Sequence, residues 1–97
     1  MVIGTCELFL TAEWVSSLKE KRTVLKGITE RARNKFNISI AEVGSQDSWK
    51  TINIGYACVS NDAAHAENMV HTVLSHIEKN TDAVVDETIV EILHSLQ

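Results

Sequence analysis

Ser17-Leu18-Lys19-Glu20-Lys21-Arg22 opens the first helix of the chain, and the fold is read outward from it. Ser17 followed three residues later by Glu20 is a capping box, in which the hydroxyl accepts an orphan backbone N–H and the carboxylate reaches back to the cap. The helix is expected to run to about Phe36. Leu18, Leu25, Ile28, Ala32 and Phe36 fall on one stripe at helical spacing, with Val24 on its border. Lys19, Arg22, Lys26 and Arg33 form a second stripe on its flank. Lys21 falls inside the apolar stripe, at its exposed end.

The charge of this segment sets it apart. It holds seven of the nine basic residues and two of the thirteen acidic ones, Glu20 and Glu30, for a local charge of +5. The remaining two bases and eleven acids leave −9 elsewhere. Lys19, Lys21 and Arg22 sit in the first turn, where the helix macrodipole is already positive, at a cost of about 0.3–1 kcal/mol per exposed charge. Something negative is therefore expected at the helix start. The five residues Lys19, Lys21, Arg22, Lys26 and Arg33 are the candidate anion- or RNA-binding set.

On the N-terminal side, Val2 to Leu10 alternates, with Val2, Gly4, Cys6, Leu8 and Leu10 on one face, and reads as a strand. Thr11 to Ser16 is a loop. Beyond the helix, Phe36 to Val43 alternates again, Gly44 to Ser48 carries turn residues, and Lys50 to Ser60 is apolar on both faces, which predicts a central strand. Asp62 is the expected N-cap of a second helix, Ala63 to Lys79, burying Ala66, Val70, Val73 and Ile77. Ala83 to His94 is a last strand, interrupted by Asp86, Glu87 and Glu91. The pattern leaves open which parity of the second, third and fourth strands is buried.

The order β-α-β-β-α-β, with right-handed crossovers that intercalate, predicts an α+β ferredoxin-like sandwich: a four-stranded antiparallel sheet with both helices on one face. At 97 residues, with 44% hydrophobic and 23% charged composition, the chain makes one domain. The other sheet face stays open, mixing apolar residues with acids such as Glu7. A modest core and an open apolar face predict self-association, a homodimer.

No apolar run approaches a membrane span and no basic-then-apolar leader opens the chain, so a cytoplasmic protein that does not engage a membrane is expected. Cys6 and Cys58, without CxxC spacing, read as buried and reduced. The four histidines lack an i,i+4 pair, and neither cysteine has a ligand-spaced neighbour; no metal and no cofactor is expected. No nucleophile elbow, phosphate loop or Cys/His dyad is recognisable, which favours a non-enzymatic role. An RNA-recognition motif shares the topology but stacks bases on aromatics of its first and third strands. Here only Phe9 and Tyr56 are on offer. Trp14 and Trp49 lie in or beside loops and either cap the core or project as anchors.

With Ser17-Leu-Lys-Glu-Lys-Arg22, Arg33, Phe36-Asn37, Ala41-Glu42-Val43, Trp49 and Gly55-Tyr-Ala-Cys-Val-Ser60, the chain resembles the YlxP-like family of small bacterial proteins of uncharacterised function. The resemblance covers nearly the whole length. It implies a ferredoxin-like domain, and, because the family's genes tend to lie beside translation and ribosome-maturation factors, a role near RNA or the ribosome. The loop Thr11 to Ser16 departs from the family, whose members more often carry Pro or Gly before the signature.

Three functions are weighed on these grounds. The first is a binding module of the translation apparatus, contacting RNA phosphate or an acidic protein through the basic helix. The second is a homodimeric interaction domain using the open sheet face, the basic stripe being solvated or answered by Glu13, Glu42 or Asp47. The third is a regulatory domain binding an anionic metabolite at the helix start. Lys21 either snorkels past Leu25 to water or places a charge at the rim of the helix–sheet groove.

Overall fold

A computed structural model describes residues 1–95. Its elements are β1 (Val2–Thr11), α1 (Leu18–Lys35), β2 (Ser39–Gly44), β3 (Thr51–Ser60), α2 (Ala63–Lys79) and β4 (Val84–His94). The strands pair antiparallel in the order β2-β3-β1-β4, and both helices cover one face. This is the ferredoxin-like βαββαβ sandwich that the element order predicts.

β1 is central and alternates without exception, its even residues buried and its odd ones half-exposed. Leu8 and Leu10 face Ile54 and Ile52 across the β1–β3 ladder, and these side chains form the floor on which the helices pack. The helix-facing parity of β3 is thus Ile52, Ile54, Tyr56 and Cys58. Helix α2 buries Ala66, Val70, Val73 and Ile77, as its spacing predicts. It settles close to β1 because Gly4 lacks a side chain: a Cβ there would stand 2.8 Å from Val70 Cγ2 and 3.0 Å from the Ala66 carbonyl oxygen. The Tyr56 hydroxyl donates to the Val70 carbonyl at 2.7 Å, tying the same helix to β3.

Two strands differ from their sequence patterns. β2 begins at Ser39, three residues later than alternation suggests, since the Phe36 N–H closes the last turn of α1 on Ala32 O at 2.9 Å. In β4, Leu10 faces Val85 and Phe9 faces Glu87, so Asp86 is the extra residue of a bulge. The bulge switches parity: Val85 before it and Val90 and Ile92 after it all pack on the core. No single period could have shown that. Thr11 Oγ1 donates to the displaced Asp86 carboxylate at 2.5 Å. Cys6 and Cys58 are buried and free, and burial pushes the Cys6 thiol pKa up.

Candidate anion-binding site

Helix α1 begins as its capping box requires, with one change. Ser17 Oγ accepts the Glu20 N–H at 3.1 Å, but the Glu20 carboxylate takes the Ser16 N–H, at 2.7 Å, instead of that of the cap itself. Glu20 thus places a carboxylate at the helix start, bonded to the Ser16 N–H that precedes the cap.

The stripe is also rotated from its sequence pattern. Leu18, expected inside, is 38% exposed, while Lys21, expected at an exposed end, is 2% exposed. The remainder of the inward face is Ile28, Thr29 and Ala32, with Val24, Leu25 and Phe36 partly covered. The Lys21 ammonium donates to Ser45 O at 2.5 Å and Ser48 O at 2.6 Å, and stands 3.5 Å from Glu42 Oε2. Ser45 holds a left-handed backbone (φ 58°), and the Ser48 N–H closes the turn on Ser45 O. Lys21 is therefore a clamp between α1, β2 and the β2–β3 turn. It does not snorkel to water: its ammonium is spent on two turn carbonyls and Glu42.

The other four candidates stay exposed. Arg22, Lys26 and Arg33 come together along a hollow of about 370 Å³ between α1 and β2, with Ile40, Ala41 and Glu42 on its far wall and Glu30 also in its lining. Lys19 lies outside that lining, one turn back on the helix. Arg33 Nη2 donates to Ile40 O at 2.9 Å, which aims the guanidinium along the outer edge of β2 and leaves its other N–H groups free for a ligand. Lys26 pairs loosely with Glu30 at 3.9 Å, both side chains more than half exposed. Such a pair holds little energy. Among the described residues the ion pairs within 4 Å are Lys21–Glu42 and Lys26–Glu30, so Lys19, Arg22 and Arg33 have no carboxylate partner. Of the acids that could have answered the stripe, Glu42 is committed to Lys21; Glu13 and Asp47 pair with none of it.

Of the two aromatics that could form a stacking platform, one is on the open sheet face. Tyr56 points to the helices, and Phe9 is half-buried beside Glu87. Trp14 and Trp49 project instead of capping the core, at 47% and 50% exposure. Their loops are laced together: Ala12 N–H donates to Lys50 O, and the Lys50 ammonium donates to the carbonyls of Glu13 and Val15. Sequence reasoning missed this use of Lys50, because a lysine at a strand start carries no signal of the carbonyls it will meet.

Residues 3–89 match the family described as "Protein of unknown function (DUF503)". The chain is also 43% identical over 77 residues to the "Uncharacterized protein YlxP" of Bacillus subtilis (strain 168), a stretch covering 79% of this chain and 84% of that relative.

Proposed function

We propose for this chain, which belongs to the DUF503 family, a non-enzymatic role: binding RNA through its phosphates at the groove between α1 and β2. The observation that carries the reading is the convergence of Arg22, Lys26 and Arg33 on one hollow, with both arginines free of carboxylate partners. Guanidinium groups are the side chains best matched to phosphate, presenting planar, paired donors. The charge map supports the same face. Glu7, Glu87 and Glu91 lie on the open sheet face, which would repel a polyanion, whereas the positive excess is on α1. The neighbourhood implied by the family resemblance, ribosome maturation in the cytoplasm, makes ribosomal RNA the first ligand to test.

The test is fluorescence anisotropy with a labelled ribosomal RNA fragment across a salt series. Neutralising Arg22, Lys26 and Arg33 together to Gln should weaken binding at least about tenfold at low salt. It should also make the log K against log salt slope shallower by about 2–3, one counterion release per lost contact. All three are exposed and the fold loses only the Arg33–Ile40 hydrogen bond, so stability should fall by no more than about 1.5 kcal/mol. A triple variant with the parent's affinity and slope would overturn the proposal.

A further inference from the structure

We infer that the open sheet face is a docking surface for a cationic, amphipathic segment of another protein. The surface is a groove that crosses the strands. Ala41, Gly55, Glu7 and Ile89 lie side by side across β2, β3, β1 and β4, and Ser39, Ala57, Thr5 and Glu91 form the next row. These two rows floor a hollow of about 480 Å³. Its β2–β3 half is shallow-walled because Ala41, Gly55, Ser39 and Ala57 have almost no side chain to fill it. Apolar ridges bound it. Ile3, Val59 and Leu93 stand in register on one side, and Phe9 with Val43 on the other. Val43, Val59, Ile89 and Leu93 are 53%, 68%, 42% and 46% exposed, an unusual concentration of bare aliphatic surface on one face.

The charge on this face selects the occupant. Glu7, Glu87 and Glu91 point to it, Asp86 sits at its bulged rim, and no Lys or Arg occupies an outward position on any of the four strands. Glu7 and Glu91 are diagonal neighbours on adjacent strands at the groove's β1–β4 end. The Glu7 carboxylate is held in place by Asn53 Nδ2 at 3.0 Å, and neither acid has a cationic partner among the described residues. A second copy laid on by two-fold symmetry would bring the same acids and no bases on its strands, and so no charge to answer Glu7 and Glu91. A cationic partner meets the acids with opposite charge and the ridges with its apolar side. Three strand spacings make the groove about 14 Å long, which takes about nine residues of helix. The position lies on the opposite face of the sheet from the α1 groove, which it meets at Ala41 of the edge strand, and requires no RNA.

The probe is a fluorescein-labelled amphipathic 14-residue peptide of Leu and Lys, with a Leu and Glu peptide of the same pattern as its control, titrated by anisotropy at 50 and 150 mM salt. The Leu/Lys peptide should bind and the Leu/Glu peptide should not. Glu91→Gln, at an exposed side chain, should weaken binding about fivefold, the upper range of one surface charge pair. Ala57→Leu, which fills the hollow, should weaken it at least tenfold. Glu67→Gln, at another exposed acid, on α2, should leave it unchanged. Equal binding of both peptides, equal loss from Glu67→Gln, or no effect of Ala57→Leu would each overturn the inference. So would sedimentation showing a micromolar homodimer abolished by Ala57→Leu, because the face would then belong to a second copy. Should Ala57→Leu unfold the chain, Ser39→Leu fills the same hollow from the edge strand and carries the same expectation.

Discussion

Replacing Lys21 with Met keeps most of the aliphatic stem and removes the ammonium. What remains is a buried clamp with nothing to clamp: the carbonyls of Ser45 and Ser48 lose donors at 2.5 and 2.6 Å, and Glu42 loses its cation at 3.5 Å. Breaking a buried pair by removing one partner costs about 3–5 kcal/mol. Glu42 is 19% exposed and recovers some hydration, which lowers the expectation to about 2–4 kcal/mol. For a domain of this size that is a drop of about 10–25 °C in Tm, out of a total stability of about 5–15 kcal/mol. Lys19→Met, on the same helix but exposed, should stay within about 0.5 kcal/mol of the parent. Urea denaturation followed by far-UV circular dichroism measures both. Glu42→Gln alone should cost about 1 kcal/mol, and the Lys21→Met/Glu42→Gln double variant less than the sum of the singles, since the stranded carboxylate is gone. A Lys21→Met variant within about 0.5 kcal/mol of the parent, or strict additivity of the pair, would refute the clamp.

Gly4→Ala should destabilise by about 1–3 kcal/mol, through overpacking against Val70 and the Ala66 carbonyl, and a urea midpoint shift at constant m reports it. Cys6 and Cys58 should react with a thiol reagent only slowly under native conditions and fully in denaturant, because both are buried and burial raises the Cys6 pKa. The His76 pKa lies below its ordinary 6.5, first through burial and then through the nearby Lys35 and Arg31. The unfolded chain therefore takes up that proton before the folded one does. Stability is complete above 6.5, falls as pH drops through the ordinary value, and levels off below the folded one; a proton NMR titration of the His76 ring should show the lowered midpoint. Trp14→Ala and Trp49→Ala should each cost less than about 1 kcal/mol while acrylamide quenches both indoles in the parent, as expected of side chains half in solvent.

The sequence by itself determined the element order, the topology and most of the core. Strict alternation in β1 and the Ala66, Val70, Val73, Ile77 spacing of α2 have one burial solution each, since a strand repeats every two residues and a helix every 3.6. Ser17 and Asp62 announce their helices for an equally local reason: a cap satisfies N–H groups within its own first turn. The stripe Arg22, Lys26 and Arg33 was legible too, as residues of one helix face. Tertiary structure alone decided what those charges do. Whether a lysine faces water or carbonyls depends on a turn twenty-four residues away that closes over Lys21, and whether a carboxylate answers the stripe depends on Glu42 being drawn inward from β2. The parity of β4 turned on one bulged residue, Asp86, and the acid-lined groove exists only because four strands place their small and acidic residues in the same two rows. Periodicity reports what a residue shares with its chain neighbours; the partner across a sheet or beneath a helix is fixed by packing, and in this protein the packing turned one of five candidate cations into part of the scaffold.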